Sequence, residues 1–155
     1  MFKFLQKDTG INAFMNGEFV ALENVEDKVF SEKMMGDGFA IKPNANEVYA
    51  PVDGEVTVVF PTLHAYGFKM KNGVEVLLHL GINTVELNGE GFEALVKVND
   101  KVKKGDLIAK MDLDLINEKE YPITSMCILT SGETIDVVNA DLNVTKDTLI
   151  ANINK

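Results

Sequence analysis

Short apolar runs alternate with glycine-containing turns along this chain of 155 residues. Turn sequences such as Asn16-Gly17, Asp53-Gly54, Asn72-Gly73 and Gly105-Asp106 separate runs that are only a few residues long. Runs of this length are typical of strands and short for helices, and their even spacing predicts an all-β sandwich or barrel. The predicted strands cover residues 18–22, 47–50, 55–60, 64–70, 74–80, 94–98, 107–111, 123–130 and 148–153.

Helical structure is expected only at residues 113–120 and 29–35, as one or two short turns in each. No Pro/Ser-rich linker divides the chain, and 46% hydrophobic residues suffice for one core. We therefore expect a single domain over residues 13–155, preceded by a flexible N-terminal segment of residues 1–12.

The charge balance restricts the partners that the protein can have. The formal net charge is -9 at pH 7 and the sequence contains no arginine. Nucleic-acid binding requires a basic surface, so this class of function is excluded. An acidic surface favours instead encounters with basic patches on other proteins.

The lone cysteine and the absence of a long apolar run both favour a location in the reducing cytoplasm. Cys127 lies in the apolar run 126–129, which predicts a buried core position, and one cysteine cannot form a disulfide within the chain. No apolar run approaches the ~20 residues needed to span a bilayer. The first residues lack the pattern of a signal peptide, so we expect a cytoplasmic protein.

The two histidines of the chain flank a hairpin signal. Asn72-Gly73 lies between His64 and His79, and Asn-Gly favours a two-residue type I′ turn. Such a turn would pair Tyr66 with His79 and place His64 on the same face, at the diagonal spacing of about 7–8 Å. A three-residue turn would shift the register by one and put the two rings on opposite faces.

In the two-residue register one face would carry Phe60, Thr62, His64, Leu77 and His79. A neutral imidazole can attack through a nitrogen lone pair, and a second imidazole can donate a hydrogen bond to the charge that develops. Imidazole suits this task because its ordinary pKa, near 6.5, leaves it mostly neutral in the cytosol.

Two other interpretations of the histidines remain open at this point. Both could be structural residues of a β-sandwich. Together with a carboxylate such as Glu75 or Glu86 they could also bind zinc, although no compact zinc motif is present.

Several motifs of the chain resemble the glucose-family enzyme IIA of the bacterial sugar phosphotransferase system. Residues 79–87, His-Leu-Gly-Ile-Asn-Thr-Val-Glu-Leu, followed by Gly-Glu-Gly-Phe at 89–92, are similar to that family's phosphorylation-site motif. Thr-Leu-His-Ala at residues 62–65 matches the second histidine of the family with its threonine. The resemblance extends over about residues 13 to 153, and the further matching segments are residues 36–43, 50–54 and 102–106.

The resemblance implies a mostly antiparallel β-sandwich that carries a phosphoryl group and needs neither a cofactor nor a metal. His79 would accept the group on Nε2 from the phosphohistidine of the carrier HPr and pass it to a cysteine of a sugar-specific IIB domain. His64 would stabilise the phosphoryl group, Thr62 would hydrogen-bond within the histidine pair, and the Gly81 carbonyl would orient His79.

The resemblance also implies a docking face of apolar residues with an acidic rim. Partners would be HPr, a IIB domain of a membrane permease and, according to phosphorylation state, regulatory proteins. The chain departs from the family pattern in three places: Asn83 replaces a common aspartate, Lys28 stands among apolar positions, and residues 13–17 lack the proline usual before the first glycine turn. The positions of this expected docking face are Asp27, Val29, Phe30, Met34, Met35, Phe60, Leu77, Asn83 and Val85.

Two other functions deserve comparison. Residues 102–106 resemble biotinyl and lipoyl carrier domains, which need an exposed lysine between methionines at a hairpin turn. Here the order is inverted, as Lys69-Met70-Lys71. A zinc peptidase of related β architecture would require a His-x-His pair and further ligands, which two histidines so far apart do not supply.

Overall fold

The computed structural model describes residues 9–154, which form thirteen strands and two short α-helices. The strands are β1 Gly10–Asn12, β2 Gly17–Ala21, β3 Asp37–Pro43, β4 Glu47–Tyr49, β5 Gly54–Val59, β6 Ala65–Lys69, β7 Glu75–His79, β8 Phe92–Ala94, β9 Lys101–Val102, β10 Leu107–Met111, β11 Ser125–Leu129, β12 Thr134–Val137 and β13 Leu149–Asn154. The helices are α1 Lys28–Ser31 and α2 Leu113–Glu118, and 3-10 turns lie at Leu22–Asn24 and Thr84–Leu87.

A seven-stranded sheet in the order β2-β3-β11-β7-β6-β5-β9 forms the main layer. Two three-stranded sheets, β1-β13-β12 and β4-β10-β8, complete the architecture, and every strand pair is antiparallel. Residues of all three sheets enclose one large apolar core. The predicted all-β class is therefore confirmed, and so is the mostly antiparallel arrangement.

The two faces of the seven-stranded sheet have different environments. One face carries residues such as Phe39, Leu78 and Cys127 into the large core. The opposite face carries Met126 and Ile128 into a smaller apolar cluster beneath α1. Side chains alternate between the two faces along each strand, so the inner strands are apolar on both sides. Burial raises the pKa of the Cys127 thiol, which suits the predicted core position.

Four strands of the structure were not predicted: β1, β3, β9 and β12. The longest of these, β3, begins at Asp37-Gly38 and ends at Pro43, and these turn-forming residues obscured the apolar run Phe39-Ala40-Ile41 between them. Because these three residues are all buried, the run also lacks the polar alternation of a half-exposed strand.

The expected flexible segment of residues 1–12 lies mainly outside the described residues. Its last residues, Gly10–Asn12, form β1 and pair with β13. Ile11 is fully buried in the large core, so the ordered domain begins earlier than residue 13. Neither short helix within residues 9–154 has the length and apolarity required to cross a bilayer.

The hairpin of β6 and β7 differs from the two-residue turn that Asn72-Gly73 predicts. Met70 N–H donates to the Val74 carbonyl and Gly73 N–H donates to the Met70 carbonyl, so the loop contains Lys71, Asn72 and Gly73. Gly73 has φ 90, as expected for the left-handed residue that ends a three-residue hairpin loop. The strands are accordingly one residue out of the predicted register, and Ala65, not Tyr66, lies opposite His79.

Candidate functional site

His79 ends β7 on the sheet face that carries the smaller apolar cluster. Its Nδ1 lies 2.9 Å from the carbonyl oxygen of Gly81, two residues later. Since a carbonyl oxygen can only accept, Nδ1 carries the proton of the neutral ring and donates this hydrogen bond. Nε2 then carries the lone pair, which makes it the nucleophilic atom of His79.

His64 lies next to His79 and is 3% exposed. The two ring centroids are 5.0 Å apart and the ring planes meet at 83°. On its other side, His64 Nδ1 lies 2.7 Å from Thr62 Oγ1. A hydroxyl can donate as well as accept, so this contact permits Nδ1 to accept the hydrogen bond and Nε2 to carry the proton.

The two rings meet even though β6 and β7 pair in the register of a three-residue loop. By strand alternation alone, that register would put residues 64 and 79 on opposite faces of the sheet. Strand alternation does not govern His64, because β6 begins at Ala65 and His64 belongs to the turn after β5. Leu63 in that turn has φ 58, a left-handed conformation that redirects the chain. The predicted proximity of the histidines is therefore right, and the predicted register is wrong.

Both histidines are neutral at physiological pH. Burial, and to a smaller extent the charge of His79, lowers the pKa of His64 from 6.5 to about 4. Burial also lowers the pKa of His79, against the opposing effects of the Gly81 hydrogen bond and Asp27. Water therefore stabilises the charged rings less than in the unfolded chain, and both rings are neutral at pH 7, with the lone pair of His79 on Nε2.

Phe30 and Phe60 form apolar walls around the histidine pair. The Phe30 ring centroid lies 4.9 Å from that of His79, and the Phe60 ring centroid lies 5.4 Å from that of His64. The expectation that Phe30 contributes to an exposed docking patch is wrong, because its side chain is 5% exposed and belongs to the smaller cluster. The short helix α1 places Phe30 inward, against Met126 and Ile128 of the sheet.

The other predicted docking positions occupy the surface to different extents. Val29, Met34, Met35, Phe60 and Val85 are exposed, with Met34 at 70% and Val85 at 48%. Leu77 is half-buried in β7. Asp27, also half-buried, caps α1 by accepting a hydrogen bond of 2.9 Å from Val29 N–H. Lys28 is exposed at the first position of α1.

Asn83 is exposed and has a left-handed backbone with φ 62. Among residues with a side chain, asparagine is one of the few that adopt this conformation readily. This backbone accommodates Asn83 and would accommodate an aspartate too, so it gives no reason for the replacement that the resemblance implies.

Two residues that support the site were not predicted. Ser125 Oγ accepts a hydrogen bond of 3.0 Å from Gly81 N–H, and Thr84 Oγ1 donates to the Leu80 carbonyl. In the sequence, Ser125 directly precedes the wholly apolar run 126–129. A hydroxyl next to a buried strand was therefore the signal that could have indicated its supporting role. Thr84 lies within the motif of residues 79–87, where no single role was assigned to it.

The geometry also bears on the other interpretations. Within residues 9–154 no group of three or more His, Cys, Asp or Glu side chains could hold a metal ion. At the β6–β7 hairpin Lys69 and Lys71 are exposed, but Met70 between them is buried at 6%. The arrangement is therefore the reverse of a modified lysine presented between methionines.

The comparisons with known proteins agree with one another. Residues 9–135 match the family model of the phosphoenolpyruvate-dependent sugar phosphotransferase system, EIIA 1. The glucose-specific EIIA component of Staphylococcus aureus (strain COL) is 45% identical over 137 residues, 88% of this chain and 82% of that protein. The corresponding Staphylococcus epidermidis component (strain ATCC 12228) is 42% identical over 139 residues, 90% of this chain and 84% of that protein.

A solved structure extends the likeness to the fold. The glucose permease IIA from Mycoplasma capricolum is 41% identical and superposes with a TM-score of 0.88. The match covers 96% of this chain and 97% of that one. The chain therefore belongs to the EIIA 1 family of the phosphoenolpyruvate-dependent sugar phosphotransferase system.

Proposed function

We propose that this protein is a phosphocarrier for sugar uptake in which His79 is phosphorylated transiently on Nε2. The observation that carries this proposal is the hydrogen bond from His79 Nδ1 to the Gly81 carbonyl. It leaves the proton on Nδ1 and the lone pair on Nε2, beside a second neutral imidazole. Family membership supplies the reaction class, and the geometry favours His79 over His64 as the acceptor.

Phosphoryl transfer to His79 requires no net change in protons on its ring. The Nε2 lone pair attacks the phosphorus atom of the donor phosphohistidine, on HPr, and the donor nitrogen–phosphorus bond breaks. The electron pair of that bond returns to the donor ring. In the onward step, the thiolate of a IIB cysteine attacks the phosphorus atom and the electron pair returns to Nε2 of His79.

His64 is proposed to donate a hydrogen bond from Nε2 to an oxygen of the transferred group. Thr62 would donate to His64 Nδ1 across their 2.7 Å contact and so keep the proton of His64 on Nε2. A donor held in place before charge develops stabilises the transition state without reorganisation. The lowered pKa of His64 keeps the ring neutral, so the ring donates a hydrogen bond as an imidazole and not as a charged imidazolium.

The proposed docking surface is the exposed apolar rim of the histidine site. Val29, Met34, Met35 and Val85 expose apolar area in α1, in the turn after it and in the Thr84–Leu87 turn that follows half-buried His79. Methionine side chains adapt to more than one surface, which suits a protein that must contact HPr, a IIB domain and regulatory partners. The net charge of -9 favours basic partner surfaces. The setting for these encounters is the cytoplasm, at the membrane permease that carries the IIB domain.

The proposed function can be tested with the purified protein, enzyme I, HPr and phosphoenolpyruvate. We expect the mass to increase by one phosphoryl group and the modification to be lost in acid, as a phosphoramidate would be. Omitting HPr should prevent the increase. A biotin or lipoyl adduct on the native protein, or no uptake of phosphate with all components present, would contradict the proposal.

Met34→Ser and Phe30→Ser provide a matched test of the docking surface. Met34 is 70% exposed, so its substitution should leave stability nearly unchanged while phosphoryl transfer from HPr becomes slower. Phe30 is buried, and removal of a buried phenylalanine side chain lowers the free energy of unfolding by about 3 kcal/mol or more. Urea unfolding and stopped-flow transfer measure the two effects. A wild-type transfer rate for Met34→Ser would remove this residue from the docking surface.

A further inference from the structure

We infer that Ser125 and Thr84 are positioning residues that set the tautomer of His79 by fixing the peptide group between Leu80 and Gly81. The inference rests on the proposed function, since the tautomer matters only if His79 Nε2 is the nucleophile. Apart from tyrosine and cysteine, the polar side chains buried within residues 9–154 are His64, Thr84 and Ser125. Two of these three do not touch the reacting atoms, yet both anchor the residue that orients His79.

The peptide group between Leu80 and Gly81 is held by these two hydroxyls. Gly81 N–H donates to Ser125 Oγ at 3.0 Å, and the Leu80 carbonyl accepts from Thr84 Oγ1. Ser125 is itself fixed, because its hydroxyl donates to the Ile123 carbonyl at 3.0 Å. Each hydroxyl therefore holds one end of the same peptide group.

The next peptide group, between Gly81 and Ile82, presents the acceptor to His79. Ile82 N–H donates to the Pro122 carbonyl at 3.1 Å, and the Gly81 carbonyl accepts from His79 Nδ1. Ser125 and Thr84 hold the preceding peptide and Pro122 holds this one, and together they fix the direction of the Gly81 carbonyl. The orientation of His79 is thus determined from β11 and the Thr84–Leu87 turn as well as from its own strand.

The packing around Gly81 makes this arrangement tight. Gly81 has φ 77, and a Cβ atom there would lie 2.5 Å from Thr84 Cγ2 and 3.1 Å from the Pro122 oxygen. Ser125 and Thr84 are each 0% exposed, so bulk water cannot replace a lost hydroxyl. Removal of either hydroxyl leaves a buried backbone group without its partner, and the peptide must rotate or shift to recover one.

The test compares Ser125→Ala and Thr84→Val with two controls. Imidazole ¹⁵N NMR of the unphosphorylated protein should show an Nδ1–H tautomer for His79 in the wild type and a mixture of tautomers in both variants. Transfer from phospho-HPr should slow by roughly 10-fold or more, because small misplacements can cost up to 10²-fold. Cys127→Ala removes one side-chain atom from the same strand, two residues after Ser125 and on the sheet face opposite His79, and Thr84→Ser keeps the hydroxyl. Both controls should retain the wild-type tautomer.

The outcomes separate this inference from the proposed function. If the wild type accepts no phosphoryl group, the proposed function fails, and the NMR comparison still tests the positioning role. An Nδ1–H tautomer retained in both variants would overturn the inference, and so would an equal tautomer change in Cys127→Ala. If Ser125→Ala does not fold, the comparison of Thr84→Val with Thr84→Ser decides.

Discussion

His79→Asn is expected to abolish phosphoryl uptake from phospho-HPr while leaving the fold intact. The amide nitrogen of asparagine can take the place of Nδ1 and donate to the Gly81 carbonyl, which His79 Nδ1 approaches to 2.9 Å. The side chain lacks an atom equivalent to Nε2, so the nucleophile is lost and the loss of transfer is complete. Intact-protein mass spectrometry after incubation with enzyme I, HPr and phosphoenolpyruvate measures the result.

His64→Gln is the control for this variant, since it alters the neighbouring ring and keeps His79. Near-ultraviolet circular dichroism and urea unfolding establish that both variants are folded. Full phosphorylation of His79→Asn would exclude His79 as the carrier and transfer the assignment to His64.

Much of the fold could be predicted because its signals are local. Glycine turns and short apolar runs indicated β2, β4 to β8, β10, β11 and β13 within a few residues, and an apolar pattern indicated α2. Strand β3 was missed because Asp37, Gly38 and Pro43 are turn formers, whereas here they border a run that is buried on both faces. Burial on both faces depends on α1 and on the distant core, neither of which a local pattern reports.

The hairpin at Asn72-Gly73 shows how a local rule can fail while the conclusion holds. Asn-Gly favours a two-residue turn, yet the loop includes Lys71, and the register shifts by one. His64 still meets His79 because it lies in a different turn, where Leu63 is left-handed. A left-handed leucine is uncommon, so no propensity argument could have anticipated that turn.

The burial of Phe30 and the contact of Ser125 with Gly81 could not be predicted from local sequence, because both depend on tertiary structure. The short helix α1 offers too few residues to show which of its faces is buried, so exposed and buried apolar residues in 28–35 could not be separated. Ser125 acts on Gly81 across a separation of 44 residues. Only the pairing of β11 with β7, which places Met126 opposite His79, brings these two segments together.

His64→Gln is expected to accept a phosphoryl group at His79 and to pass it on slowly. The amide of glutamine can donate a hydrogen bond near the position of Nε2, but it is not an imidazole and cannot carry a phosphoryl group. It is also more flexible than a ring that is 3% exposed and held by Thr62. The donor would therefore no longer be fixed in place before charge develops on the transferred group.

The onward step should show the larger effect, because the cysteine acceptor and the departing His79 must both align with the phosphorus atom. Loss of one preorganised donor typically costs roughly 10²–10³ in rate. Single-turnover transfer from the phosphorylated variant to a IIB domain measures this rate directly. Thr62→Val serves as a graded control: it keeps the His64 ring and removes the hydroxyl that fixes its tautomer, so its rate should fall between those of the wild type and His64→Gln. A wild-type rate for His64→Gln would show that the second histidine takes no part in transfer, and failure to accept phosphate at all would show that the two histidines have been assigned in the wrong order.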